Sequence, residues 1–465
     1  MVEGFVGTRA AQARPATECG MVSPQAEGAD LPAAQTLNDV PEAVLGMMGR
    51  ARALRATGAH AEALALCNAA LAQSPGHPDL LALRGNALIS LGRYAEAALC
   101  HQQVAQRYPG SASAWGNLGN ALRRLGSLSQ AIACYDRGLA LPEAPPSLRW
   151  NRAFALLLAG DYDRGFPAAE ARFSRQGATS PPWFDRSWDG RPLRGGRLLV
   201  ACEQGLGDIL QFVRFLPLAR ARVSELVLVA PKKLHALFAG LPGVDSLISP
   251  QDPPPPVHAR VMLMSLPAAM GLRKRDWVAR STTPILTPDA ARVARWAPVL
   301  PPGPLRVGLA WQGNPDYEED HLRSPPLSAF SPLSRLDGVR WLSLQKYGGA
   351  EQLQQPPPGL TIEDLGGVLD NDGDAFVDTA AALQHLDLVI TSDSALAHLS
   401  GSLGRPTFVV LPYAPDWRWG LGLPMTPWYR TVRLFRQPRP HDWGAVFAEM
   451  TRVMAQSFEG SSHEG

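Results

Sequence analysis

Short apolar runs at 198–201, 226–229, 261–264, 307–310, 341–344, 388–391 and 407–411 are separated by stretches in which apolar residues return at helical spacing, as Ile209, Phe212, Phe215 and Leu216 do. Such alternation predicts strands buried in two parallel sheets, with helices on their faces and a split near the Pro-Pro-Gly stretch at 301–303. Upstream of about residue 176 the pattern is different. Gly58, Gly92, Gly126 and Gly160 stand 34 residues apart, and Ala63, Ala97 and Ala131 keep the same register. That period is one of paired helices.

In the repeats, Gly85 and Gly119 predict close approach of the two helices of a unit, and Pro75 and Pro109 mark unit ends. Cys100 and Cys134, also 34 apart, fit small core positions of second helices. The period is that of a tetratricopeptide (TPR) unit, and four units over about 41–176 predict a short α-solenoid with one concave groove. Asn117, Asn120, Arg123 and Arg124 are candidate groove residues for a protein partner. The other reading is that the solenoid props or dimerises the rest of the chain.

Two strand–turn–helix blocks carry the chemistry. In the first, a strand runs into Gly205 and Gly207, which permit a tight turn, and the turn presents Asp208 at the mouth of the sheet. It lacks the third glycine and downstream acid of a dinucleotide fingerprint. In the second, Ser392, Asp393 and Ser394 supply N-cap residue types to a small-residue helix starting at Ala395. Helix amides at the carboxyl end of a strand attract phosphate. Each block also reads as an ordinary strand–helix unit with a good cap.

Three ordered motifs, GLGDILQFVRFLP from Gly205, GLAWQGNPDYEEDHLRSPPL from Gly308 and TSDSALAHLSGSLGRPTFVVLPYAPDWRW from Thr391, resemble glycosyltransferase family 9. This is the group containing the ADP-heptose:lipopolysaccharide heptosyltransferases, and the resemblance is nearest to bacterial members fused to TPR units. It covers roughly 193–454. It implies a GT-B fold of two Rossmann-like α/β domains, an acceptor-side domain over 196–300 and a nucleotide-sugar donor domain over 301–456, after a linker at 177–195. The activity implied is inverting, metal-independent transfer of a hexosyl or heptosyl group from a nucleotide-diphosphate sugar to a glycan or protein acceptor. A non-catalytic TPR scaffold with a degenerate GT-B half is the alternative.

The resemblance makes Asp208 the base. Arg323 is then the phosphate cation, with bidentate geometry available. Gly205, Gly207, Trp311, Gly313, Asn314 and Gln345 would line the donor pocket, Gln345 either reading the base edge or ending its strand. The Ser394 hydroxyl and the amides near Ala395 would meet the diphosphate, while Asp393 orients a ribose hydroxyl or holds the turn. His398, four residues from Ser394, shares its helix face and either reaches the ligand or packs. Trp417 and Trp419 either flank the pocket or bury themselves between domains. Tyr317 replaces a His common in relatives, so no role passes to it.

Bulk properties narrow this reading. With 44 Lys+Arg against 42 Asp+Glu the net charge is +2, so no global field favours nucleic acid. No 18-residue apolar run predicts a transmembrane helix, which leaves a cytoplasmic protein with peripheral association at the inner membrane still open. The five cysteines show no C-x-x-C spacing, against a disulfide framework or zinc site and in keeping with a reducing compartment. The acidic stretch 370–374 has its glycine misplaced for a calcium loop and reads as a helix-capping loop, so no metal or other cofactor is expected. Residues 1–40 and 457–465 read as disordered tails, and Met21 and Met47 are alternative starts.

Overall fold

The computed structural model describes residues 41–174, 187–278, 284–303, 305–317, 319–346 and 348–461. The tail expected over 1–40, with Cys19, lies outside the described residues, as do 177–186 of the expected linker and 462–465 of the expected carboxyl-terminal tail. The remainder of that tail is different from expectation: helix Trp443–Ser461 runs into it, held by buried Val446, Phe447, Met450, Val453 and Met454.

The amino-terminal part is a TPR α-solenoid of helices Glu42–Ala56, His60–Gln73, Pro78–Ser90, Tyr94–Arg107, Ala112–Arg124, Leu128–Leu139, Pro146–Leu158 and Tyr162–Ala169. The 34-residue glycines close the first helix of each pair. Gly58, Gly92, Gly126 and Gly160 have φ of +82°, +72°, +86° and +75°, a left-handed conformation that costs glycine little. Close packing explains the second set: a Cβ at Gly85 would stand 2.5 Å from the His101 ring, and one at Gly119 2.5 Å from the Tyr135 ring. Cys100 and Cys134 are buried between helices.

Two all-parallel sheets follow. Strands β1 (Leu193–Ala201), β2 (Val223–Val229), β3 (Ser246–Ile248) and β4 (Ala259–Met262) lie in the order β3-β2-β1-β4. Strands β5 (Leu305–Ala310), β6 (Val339–Ser343), β7 (Ile362–Asp364), β8 (Leu388–Ser392), β9 (Thr407–Leu411) and β10 (Val432–Arg436) lie in the order β10-β9-β8-β5-β6-β7. Strand β1 begins inside the stretch expected to be a linker, and Trp188 just before it is buried with its backbone amide on the Arg260 carbonyl at 2.7 Å. The acidic stretch caps a helix, as its composition suggests. Asp370 accepts from the amides of Asp378 and Thr379 at 2.7 and 3.2 Å.

The solenoid is not a separate body. Phe154, Leu157, Leu158, Tyr162 and Phe166 from its last helices share one hydrophobic core with both sheets. Phe166 meets Phe212 of the first α/β domain and Trp417 of the second edge-on, each at 6.4 Å between ring centroids. Earlier repeats touch the second domain too, through the Tyr94–Tyr413 stack at 5.9 Å. Deleting a buried aromatic at a three-way junction removes contacts from all three parts. Phe166→Ala should therefore cost about 3–5 kcal/mol. Denaturation followed by circular dichroism should show a lowered midpoint, with solenoid cleavage by protease appearing at lower denaturant.

Candidate active site

Each sheet reverses its strand order once, and each reversal falls at one of the sequence blocks. In the first sheet it lies between β1 and β4, at the carboxyl end of β1, where Gly205 and Asp208 follow. In the second it lies between β5 and β8, where Gly313 and Asn314 follow one strand and Asp393 and Ser394 the other. Such switch points form the crevices in which open α/β sheets bind ligands. The two crevices meet: a Cβ at Gly207 would lie 3.3 Å from His398 Cδ2 and 3.4 Å from Ala395 Cα, across the domain boundary.

The two helices at this junction differ at their amino termini. Helix Leu206–Phe212 is closed by its own Asp208, whose Oδ2 accepts from the Gly205 amide at 3.0 Å. Helix Ala395–Ser402 has no side-chain cap. Ser394 occupies the N-cap position, but its hydroxyl bonds to Thr391 Oγ1 at 3.1 Å, which corrects the expectation of a side-chain cap. Of the pair, the second helix keeps first-turn amides available to an anion.

Arg418 crosses from the second domain to the first. Its Nη2 donates to Asp208 Oδ1, its Nε to Gln211 Oε1 at 2.6 Å, and its Nη1 to Asp416 Oδ1 at 2.8 Å. Asp208 is 1% exposed and Arg418 3%. Burial raises the Asp208 carboxyl above the usual carboxylate range, while Arg418 and the Gly205 amide pull the other way. Burial also pushes Asp393 up to about 6, helped by the charge of Asp416 and opposed by Arg323. His398 is held neutral, first by burial and then by Arg418, Arg214 and Arg323.

Several expected donor-pocket residues are occupied within the protein. Gln345 is a staple rather than a reader of a base edge: its Oε1 accepts from the Trp311 and Gln312 amides at 2.9 and 3.0 Å, and its Nε2 donates to the Gly348 carbonyl at 2.8 Å. Trp311 is fully buried against Phe330 and donates to the Gly349 carbonyl, so it belongs to the core and does not line the crevice. His398 packs, with Nδ1 2.9 Å from the Tyr429 hydroxyl and its ring stacked on Trp419 at 5.1 Å. Trp417 and Trp419 are buried, the packed alternative of the two. Asn314 is exposed and turns back on the Asp316 amide at 3.1 Å, and the Gly313 amide donates to Ser324 Oγ at 3.2 Å.

Arg323 stands beside Gly313, paired with Asp320 at 3.0 Å, its guanidinium 4.5 Å from the Tyr317 ring centroid. Burial works against its charge, and Asp393 and Asp320 more than offset that, so its pKa is raised. The groove residues proposed for a partner are also taken. Arg124 is ion-paired with Glu319, Arg123 lies 4.7 Å from the Phe154 ring, Asn117 is buried, and Asn120 accepts from the Tyr135 hydroxyl at 2.8 Å. Arg124 thus ties its helix to the second domain, while Arg123 and Asn120 are held within the solenoid.

Sequence reasoning missed Arg418, although its place between Trp417 and Trp419 held a clue: a guanidinium stacks on aromatic faces and is the cation best suited to a buried ion pair. It also missed Glu203 and Arg172. Arg172, just after the solenoid, makes a two-point contact with Glu203 at 3.0 and 2.7 Å, and so fixes the strand end leading into the glycine turn. Gln204, next in line, has a left-handed φ of +63°. A non-glycine residue there is strained, as is frequent at functional turns. Among the described residues no group of three or more His, Cys, Asp or Glu is placed to hold a metal ion.

Residues 54–100 and 83–147 match tetratricopeptide repeat families. The amino-terminal part is a TPR solenoid. Protein FlbA of Caulobacter vibrioides is 31% identical over 328 residues, which cover 63% of this chain and 52% of FlbA, so the chain spans about half the length of that curated relative. Among solved structures, E. coli ADP-heptose lps heptosyltransferase II aligns with 56% of this chain and 99% of its own, at 13% identity and a TM-score of 0.39. MamA aligns with 29% of this chain and 73% of its own, at 20% identity and a TM-score of 0.26.

Truncating Arg418 to alanine leaves the Asp208 carboxylate buried without its cation, a change that typically costs about 3–5 kcal/mol. Arg418→Ala should therefore unfold at much lower denaturant than Asp208→Asn, which keeps one acceptor oxygen at the site and leaves Arg418 paired with Asp416. A second expectation concerns pH. Asp393 binds its proton more tightly folded, up to about 6, than unfolded, so its ionisation lowers stability as pH rises from its unfolded pKa through the folded value. Asp393→Asn should accordingly gain relative to the parent between about pH 4.5 and about pH 7.5. Denaturant midpoints of both proteins at the two pH values would show it.

Proposed function

We propose that the chain is an inverting, metal-independent glycosyltransferase that uses a nucleotide-diphosphate sugar. The observation that carries this reading is the uncapped helix Ala395–Ser402, at the switch point of one sheet, touching the glycine turn that carries Asp208 at the switch point of the other. One side can hold a departing diphosphate and the other a base.

Transfer would be a single displacement. The acceptor oxygen bonds to the anomeric carbon as that carbon's bond to the diphosphate oxygen breaks, the electron pair leaving with the diphosphate. Asp208 takes the acceptor proton, and its burial makes it a better base than an exposed aspartate. Amides at Ser394 and Ala395, with Arg323, meet the charge growing on the leaving group. Gly205 and Gly207 give the turn the space to approach the second domain, and Gly313 leaves room for the Arg323 guanidinium. The donor is a nucleotide sugar and the acceptor a glycan or protein hydroxyl. Partner recruitment by the solenoid would use a surface other than Arg123 and Arg124.

Hydrolysis or transfer of a nucleotide-sugar panel is the direct test. Asp208→Asn should lower turnover sharply. Arg323→Ala should weaken nucleoside-diphosphate binding by about 1.5–3 kcal/mol, the range for hydrogen bonds to charged groups, as read by calorimetry. Activity should survive EDTA. Loss restored only by Mg²⁺ or Mn²⁺ would contradict the metal-independent mechanism, and a scaffold would turn over no donor at all.

A further inference from the structure

Arg418 has more to do than join two domains. All three arms of its guanidinium are engaged, and two of the three acceptors, Asp208 and Gln211, belong to the opposite domain. The fork lies in the same buried cluster as Asp393, whose carboxyl Arg418 also influences. Two polar atoms here are buried without a hydrogen-bond partner: Gln211 Nε2, on the side chain that Arg418 holds, and Ser392 Oγ, next to Asp393. An orphaned buried donor costs free energy that a bound polar ligand can recover. A cluster with a strong cation, orphaned donors and an uncapped helix fits an anion better than it fits itself.

We propose that Arg418 is a shared cation which Asp208 and the donor's diphosphate compete for. Resting on the transferase reading above, the inference gives Arg418 two partners in turn. Before donor arrives, its Nη2 neutralises Asp208 and draws the domains together. When the diphosphate settles on the amides of Ser394 and Ala395, Nη2 turns to a phosphate oxygen, a match for guanidinium as good as a carboxylate. Asp208 is then released as a free carboxylate beside the acceptor. Arg418 thereby acts as a positioning residue for Asp208 and as a binding residue for the donor, and the base becomes competent only once a donor is present.

Competition has a sign that a merely structural ion pair would not produce. Asp208→Asn removes the charge that holds Arg418 Nη2, leaves Asp416 on Nη1 and keeps the shape, so calorimetry with UDP, ADP, GDP, CDP and dTDP should show tighter binding of whichever diphosphate the parent binds. The expected gain is at least about fivefold, a coupling typical of neighbouring charged groups. Adding Arg418→Lys should abolish the gain, because lysine lacks the fork, and Arg418→Lys alone should bind more weakly than the parent. Asp208→Ser, which likewise removes the charge facing Nη2 and keeps a short polar side chain in the turn, should tighten binding in the same direction and decides the matter should Asp208→Asn not fold. Unchanged or weaker binding by a folded Asp208→Asn overturns the competition while leaving the transferase reading in place. If the parent binds none of the five diphosphates, both fall.

Discussion

A guanidinium removed from water loses several kcal/mol of hydration unless each of its N–H groups finds a well-placed acceptor. Arg418 finds them on both sides of a domain boundary, and much of the chain is arranged around that requirement. Asp208 must be at the first turn of its helix to be reached, which the glycine turn at the end of β1 ensures. Asp416 must precede Arg418 in a loop bent back on itself, where it also accepts from the Arg418 amide at 3.0 Å. Aromatic rings exclude water around the pair, with Trp417 lying 4.5 Å from the guanidinium carbon and the Trp428 indole donating to the Arg418 carbonyl at 2.8 Å. In such a setting the electrostatic interaction is strong, and so is any competition for it.

The solenoid contributes to this arrangement in a way its repeat pattern does not advertise. Its last helices give apolar side chains to the interdomain core, Arg172 pins Glu203 ahead of the glycine turn, and Arg124 pairs with Glu319 in the loop that carries Arg323. A repeat array usually has an intrinsic stability of its own, each unit resting on its neighbours. Here the final pair rests on the α/β domains instead. Motion of the solenoid would consequently be felt at both strand ends that frame the crevice.

Much of the architecture was legible because it depends on local periodicity. The 34-residue glycines mark left-handed helix ends, and runs of branched residues mark buried parallel strands. Strands β3 and β7, three residues each, are too short to show a period, and β10 hides its buried face between arginines. For the site, the two blocks were legible as turns, since glycine and cap residues act locally. What they face was not. Arg418 and Asp208 are 210 residues apart, and no local pattern links them. Gln345 shows the converse difficulty, because a strand-end amide looks the same in sequence whether it meets a ligand or closes a loop on its own backbone.

If the chain is the proposed transferase, a nucleotide diphosphate binds where the two switch points meet. A crystal structure of the protein soaked with a nucleoside diphosphate that it binds in solution tests this most directly. Phosphate oxygens should then lie at hydrogen-bonding distance, about 3 Å, from the amides of Ser394 and Ala395, with Arg323 or Arg418 on the same group. A diphosphate bound at the far ends of the strands or on the solenoid, with the Arg418–Asp208 pair undisturbed, would contradict it.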